Sequence, residues 1–78
     1  MTTLLLLGPA REAAGVARDE FVGATIDEIL DAAIARYGEA FTRVLAVSQV
    51  WLNGEATSRD APVGPQDEVV VLPPISGG

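Results

Sequence analysis

The chemistry that this sequence could support is concentrated in its last six residues, from Pro73 to Gly78. A terminal carboxylate has a pKa of about 3.5, so it is ionised and unreactive as an acyl donor at neutral pH. It needs activation, for example as an acyl-adenylate. An activating site must approach the backbone closely, and glycine permits this because it has no side chain. We therefore expect the Gly78 carboxylate to be the reactive group and Gly77 to give access to it.

The segment before the two glycines is suited to entering a narrow channel. Pro73 and Pro74 fix their own φ angles and favour extended backbone in the residue before each. Six extended residues span at most about 20 Å, which is enough to reach into a partner while the body stays outside. The predicted partner-binding tail consists of Leu72, Pro73, Pro74, Ile75 and Ser76.

The composition argues against catalysis by the chain's own side chains. The sequence has no cysteine and no histidine, which removes disulfides, the usual zinc site, a thiol nucleophile and a histidine base. Asp67 and Glu68 are adjacent carboxylates, but neighbouring residues on a strand point to opposite faces. We expect no bound cofactor or metal, and a co-substrate rather than an enzyme acting alone.

Charge and hydropathy limit the class of partner and the location. Eleven acidic residues against five arginines give a net charge of −6, which argues against nucleic acid and anionic membranes and favours a basic partner surface. No apolar run approaches the roughly 20 residues of a membrane helix. The short Leu4–Leu7 run has no basic segment before it, so it is not a signal peptide. We expect a cytoplasmic protein.

One helix is the clearest local element. Thr25 precedes Glu28 by three residues, the spacing of a capping box. Arg36 and Gly38 are typical of a helix end. Between these signals, apolar residues recur with helical period at Ile26, Ile29, Leu30, Ala33, Ile34 and Tyr37.

The remaining patterns predict strands around this helix. Strands are expected at Thr3–Leu7, Arg18–Val22, Val47–Leu52 and Glu68–Leu72, with a tight turn at Asn53-Gly54. Further expectations are a helical turn or loop over 10–15, a second short helix holding Phe41, Val44 and Leu45, and a loop over 56–66. The order predicts an α+β domain over residues 1–72, with one main helix on one face of a mixed sheet of four to five strands, followed by the tail 73–78.

The two apolar strands predict an exposed patch. Leu4–Leu7 and Val69–Leu72 do not alternate with polar residues, so both of their faces are apolar. One long helix covers only one face, and the other would bind a partner or lie beneath the 56–66 loop. Trp51 is either a core residue or a partner anchor. If Val50 and Leu52 face the helix, Trp51 faces the other side.

The end of the chain resembles a known family. The segment Leu72–Gly78, preceded by Asp67–Val69, is similar to the C-terminus of the small subunit of molybdopterin synthase. That subunit is one of the ubiquitin-like β-grasp sulfur carriers, which include the thiamine-biosynthesis carrier. Ala10-Arg11-Glu12 with Gly15 and Leu52–Glu55 agree with the family, and the resemblance implies a β-grasp fold.

The resemblance also implies a reaction and its partners. An adenylyltransferase of the ubiquitin-activating type would use ATP to adenylate the Gly78 carboxylate, and a sulfur donor would convert it to a thiocarboxylate. The tail would then enter the large synthase subunit, where the sulfur builds the dithiolene of molybdopterin. Two small and two large subunits would form a heterotetramer.

Two alternatives remain open. Related carriers serve thiamine thiazole synthesis, cysteine synthesis or tRNA thiolation. A β-grasp binding module would instead use the sheet face alone, with no role for Gly77 and Gly78.

Overall fold

The computed structural model describes residues 1–74, which form a mixed sheet with helices on one face. The strands are β1 (Thr2–Leu6), β2 (Arg18–Phe21), β3 (Gln49–Leu52), β4 (Glu55–Ala56) and β5 (Glu68–Leu72). The helices are α1 (Pro9–Ala14), α2 (Ile26–Tyr37) and α3 (Glu39–Ala46). The sheet order is β2-β1-β5-β3-β4; β1 and β5 are parallel, and the other neighbouring pairs are antiparallel. The α+β prediction is confirmed, with five strands within the described residues.

The connection between β1 and β2 is a helix of six residues, which agrees with the helical turn expected over residues 10–15 and not with the alternative loop. Gly8 precedes α1 with φ 57° and ψ −130°, a conformation that favours glycine, and Pro9 occupies the first turn. Gly15 ends the helix in the left-handed region. Gly8-Pro9 therefore ends a strand and begins a helix.

Helix α2 begins and ends where its sequence signals predicted. The Glu28 backbone N–H donates to Thr25 Oγ1 at 3.3 Å. The reciprocal bond differs from the expected capping box, because Glu28 Oε1 accepts from the N–H of Ala24, one residue before Thr25, at 3.0 Å. The Gly38 N–H closes the helix on the Ile34 carbonyl at 2.9 Å.

The third strand begins two residues later than expected. The N–H groups of Val47 and Ser48 donate to Val44 and Leu45 carbonyls at the end of α3. The Ser48 hydroxyl also donates to the Val44 carbonyl, at 2.7 Å. These bonds use the backbone of Val47 and Ser48 to finish the helix, so pairing with β5 starts at Gln49.

The core lies between the sheet and all three helices. Alternate residues of β1 and β5 point to this side, as strand geometry requires. They pack with residues from α1, α2 and α3, so the main helix shares this face with two shorter ones. The buried apolar residues are Leu4, Leu6, Ala10, Phe21, Ile26, Ile29, Leu30, Ala33, Phe41, Leu45, Val69 and Val71.

The segment after β4 runs back to the start of α2. Asn53 and Gly54 have φ angles of 50° and 87°, as a tight hairpin turn requires. The loop predicted over 56–66 begins as strand, because Ala56 pairs with Trp51. Beyond it, the carbonyls of Arg59 and Ala61 accept from the first backbone N–H groups of α2 at 2.8 and 2.9 Å.

No helix within residues 1–74 is long and apolar enough to cross a membrane.

Candidate functional site at the outer sheet face and the tail root

The sheet face turned away from the helices is the first part of the candidate site, and we call it the outer face. Val50 and Leu52 pack against the core, so Trp51 between them points outward. The register aligns one row of side chains across all five strands. In sheet order, this row is Arg18, Leu5, Val70, Trp51 and Ala56.

The middle of the outer face is apolar. Leu5, Val70, Leu72 and Trp51 are half-buried by their neighbours on the sheet. The Trp51 indole N–H donates to Gln49 Oε1 at 3.0 Å, which satisfies its polar atom and orients the ring. The predicted apolar patch is thus present, and Trp51 belongs to it rather than to the core.

The 56–66 loop, which was the alternative to a partner as a cover for this face, lies elsewhere. Its residues Ala61 and Val63 pack against the core on the helix side. The Val63 N–H donates to the Ala24 carbonyl at 2.9 Å, just before α2. The hydrogen bonds of the loop therefore fix it beside α2, and the patch stays accessible to a partner.

The second part of the site is the tail root, where the chain leaves β5 at Leu72 and Pro73. The Leu7 N–H donates to the Val71 carbonyl at 3.0 Å and continues the parallel pairing past β1. A Cβ on Gly8 would lie 3.1 Å from Pro73 Cγ, so the two residues are in close contact. This contact defines where the tail starts.

The predicted tail residues are only partly described. Leu72 lies half-buried at the end of β5, and Pro73 and Pro74 are exposed. Ile75, Ser76, Gly77 and Gly78 lie outside the described residues.

Three exposed apolar side chains lie at the same end of the sheet as the tail root. Leu7 follows β1, Val16 precedes β2 and Val47 precedes β3, with exposures of 47%, 41% and 66%. Strand directions bring these positions together, because β1 and β5 end where β2 and β3 begin. Sequence reasoning did not identify Val16 or Gly8 as part of the site, and it assigned Val47 to a strand. Two signals in the sequence could have identified them. Val16 is an apolar residue directly after the helix-ending Gly15, and Gly8 is a glycine directly before a proline.

A charged cluster on the helix side has a structural role. The Tyr37 hydroxyl donates to Asp19 Oδ2 at 2.7 Å, and Arg36 Nη1 donates to both Asp19 oxygens at 3.1 Å. The Tyr37 bond is the main cause that holds the pKa of Asp19 below its usual value. Burial, together with the same bond, raises the pKa of Tyr37. The cluster ties β2 to the end of α2 and stays away from the tail root.

Asp67, just before β5, and Glu68, the first residue of β5, do not form an acid–base pair. Asp67 accepts from Asn53 Nδ2 at 2.9 Å and from the Gly64 N–H at 2.8 Å, and these bonds lower its pKa. Glu68 instead occupies an outer-face position on β5, opposite Thr3. Across residues 1–74, no three carboxylates are grouped so that they could hold a metal ion.

Comparisons with known proteins agree with this geometry. The model of the ThiS family matches residues 4–78. SAMP1 from Haloferax volcanii is 30% identical, with 99% of this chain and 98% of that chain covered and a TM-score of 0.79. A crystal structure of the Amycolatopsis orientalis BexX/CysO complex holds a chain that is 25% identical, with complete coverage of both chains and a TM-score of 0.82.

A third similar structure is a complex of subunits 1 and 2 of the molybdopterin-converting factor from Helicobacter pylori. The matched chain is 22% identical, with 99% and 97% covered and a TM-score of 0.71, and at this identity it shows the fold alone. No curated protein sequence matches this chain. The ubiquitin-like β-grasp fold implied by the sequence is confirmed.

Proposed function

This chain belongs to the ThiS family of ubiquitin-like sulfur carriers, and we propose that it is the small subunit of molybdopterin synthase. In this role it carries sulfur as a thiocarboxylate on Gly78. The observation that carries the proposal is the family match over residues 4–78, which includes the whole tail. The Leu72–Gly78 sequence, with its two prolines before Ile75 and Ser76, favours the molybdopterin branch.

The proposed chemistry takes place on the terminal carboxyl group. A carboxylate oxygen of Gly78 attacks the α-phosphate of ATP, which forms an acyl-adenylate and releases pyrophosphate. A sulfide-level sulfur donor then attacks the carbonyl carbon and AMP leaves, so the donor's sulfur stays on Gly78 as the thiocarboxylate. ATP is bound by the partner, an adenylyltransferase of the ubiquitin-activating type. The small subunit contributes the acyl group and its access through Gly77.

The outer face and the tail root support a partner that accepts the tail. The apolar patch around Trp51 continues to Leu72, from which the tail starts. A partner covering the patch would therefore have its channel beside Pro73. We propose that the large synthase subunit binds here, in a heterotetramer of two small and two large subunits in the cytoplasm. The matched chains from H. pylori and A. orientalis come from complexes.

Reconstitution tests this function. The full chain, its adenylyltransferase, ATP, a sulfur donor and the large subunit should convert the pterin precursor to molybdopterin. Gly78→Ala, and a chain extended by one residue after Gly78, should lose sulfur transfer while unfolding at the same denaturant concentration as the parent. Gly15→Ala adds a Cβ that has no other atom within 4 Å and should keep sulfur transfer. Full transfer by the extended chain would overturn the proposal.

A second candidate is favoured by the 30% identity to SAMP1, a small archaeal modifier protein. Here the activated Gly78 would be joined to amines of other proteins. The sequence has no lysine, so copies of the chain could not be linked to one another through lysine. Expression of a tagged chain should then give conjugates of single copies, which disappear when Gly77 and Gly78 are deleted.

A carrier for another sulfurated product would instead copurify with a different large partner.

If deletion of Gly77 and Gly78 leaves every partner function intact, the chain is a binding module that uses the outer face alone.

A further inference from the structure

We propose that the outer face has a charge polarity that orients the partner accepting the tail. Arg18 lies toward the tail root, and Glu20 and Glu68 lie toward the opposite end. The partner we infer is a protein with an apolar patch, acidic groups near its channel mouth and basic groups farther away. This inference rests on the proposed function, because it assumes that the partner over this face also receives the tail.

The placement of Arg18 follows from its neighbours on β2. Asp19 contacts Tyr37 and Phe21 lies in the core, so both face the helices. Arg18 and Glu20 alternate with them and point to the outer face. Arg18 pairs with Leu5 near the end of β1, and Glu20 pairs with Thr3 near its beginning.

Glu68 adds a second negative charge at the same end as Glu20. Thr3 pairs with Glu20 on β2 and with Glu68 on β5, so the carboxylates flank one residue of the central strand. Neighbouring strands are about 4.8 Å apart, which puts the two backbones within roughly 10 Å of each other. The row that contains Arg18 and Val70 lies two residues, about 6.7 Å, closer to the tail root.

The charge of Arg18 is available to a partner. Three of the other arginines form ion pairs: Arg36 with Asp19 at 3.1 Å, Arg43 with Glu39 at 3.0 Å and Arg59 with Asp27 at 2.7 Å. Within residues 1–74, Arg18 makes no such pair. A charge that is covered without a counterpart loses its hydration and disfavours binding. A partner lying over this face must therefore supply an acid opposite Arg18 and bases opposite the two glutamates.

The polarity has a functional consequence. An apolar patch alone does not define orientation, because hydrophobic association is non-directional. With Arg18 at one end and the glutamates at the other, a reversed partner would place like charges together. The favoured orientation is the one that puts the channel mouth beside Leu72 and Pro73.

The test exchanges the charges on one strand without changing the net charge. The variant Arg18→Glu/Glu20→Arg keeps the net charge at −6 and reverses the polarity of β2. The matched control Glu39→Arg/Arg43→Glu reverses an exposed pair on α3, on the helix side. Binding of each full chain to the large synthase subunit is followed by Trp51 fluorescence at low and high salt, and adenylation by the adenylyltransferase is followed by pyrophosphate exchange.

The expected result is an increase of about tenfold in Kd for the β2 exchange at low salt. The difference should shrink at high salt because exposed charges are then screened. The α3 exchange should bind like the parent. If the β2 exchange and the parent bind with equal Kd, the proposal that charge polarity orients the partner is overturned. A parent that binds without being adenylated would overturn only the carrier function, and a parent that does not bind would overturn both.

Discussion

Gly8 lies against the ring of Pro73, and a Cβ on Gly8 would be 3.1 Å from Pro73 Cγ and 3.5 Å from Cδ. Gly8 also has φ 57°, where a side chain is strained in any case. One residue therefore connects the β1 segment to α1, caps the start of α1 and borders the first residue of the tail. This contact links the folded body to the group that we propose as reactive.

Gly8→Ala should reduce stability by about 1–3 kcal/mol, through backbone strain and the contact with Pro73. Urea unfolding measures this change. Gly15→Ala is the control for positive φ, because nothing lies within 4 Å of its added Cβ. In the double variant Gly8→Ala/Pro73→Ala the ring contact is removed, so the total loss should be smaller than the sum of the single losses. Strict additivity would show that the contact is energetically unimportant.

Gly8→Ala should also slow adenylation of the folded chain, because a displaced Pro73 changes where the tail leaves the sheet. The pyrophosphate exchange rate at saturating ATP measures this effect, under conditions where circular dichroism shows the variant to be folded. Gly15→Ala should retain the parental rate. An unchanged rate for Gly8→Ala would show that the position of the tail root does not affect how the tail enters the adenylyltransferase.

Trp51→Ala should weaken partner binding by about tenfold or more while changing stability little, since a central aromatic on a docking face often dominates its energy. Val50→Ala is the matched control, because Val50 is the adjacent residue on the helix side. It should lower stability by about 1 kcal/mol and leave the affinity of the folded chain unchanged. Calorimetric titration and urea unfolding separate the two effects. The opposite pattern would place the interface on the helix side.

Asp19 should make the free energy of unfolding depend on pH in the acidic range. Its pKa is lowered in the folded protein, chiefly by the Tyr37 hydroxyl. Its contribution is therefore fully present above the unfolded pKa, near 3.8, and is lost as the pH falls through the lower folded value. Asp19→Asn should flatten the fall in stability below about pH 4, measured by urea unfolding across pH. Asp31→Asn, at an exposed position, is the control. If it flattens the fall in stability equally, the acid dependence does not come from Asp19.

Tyr37→Phe should cost about 1–2 kcal/mol at pH 7, because it removes a hydrogen bond to a charged group in a partly buried site. It should also reduce the acid dependence, since the Asp19 carboxylate loses its strongest partner. A thermal melt at pH 7 and at pH 3 checks both effects. If the cost is the same at both pH values, the bond does not depend on the ionised carboxylate.

Local signals were sufficient to predict much of the fold. Thr25, Glu28 and Gly38 mark the ends of α2 because capping chemistry acts within a few residues. Because neighbouring strand residues point to opposite faces, Trp51 was expected on the face opposite Val50, and it lies there. The absence of alternation in β1 and β5 predicted the apolar outer face.

Other features depend on contacts distant in sequence and could not be predicted. The path of the loop after Ala56 is set by bonds between Asp27 and Arg59, which are 32 residues apart. The contact between Gly8 and Pro73 requires the parallel pairing of β1 with β5. The late start of β3 results from a Ser48 hydroxyl bond that finishes α3, which apolar patterning does not reveal.

The central claim is that Gly78 carries sulfur, and intact-mass spectrometry tests it most directly. The full chain is incubated with ATP, a sulfur donor and its adenylyltransferase, and the product is fragmented to locate any change. We predict a mass gain equal to the replacement of one oxygen by sulfur, located at Gly78. An unchanged mass, under conditions in which a known carrier is modified, would contradict the claim.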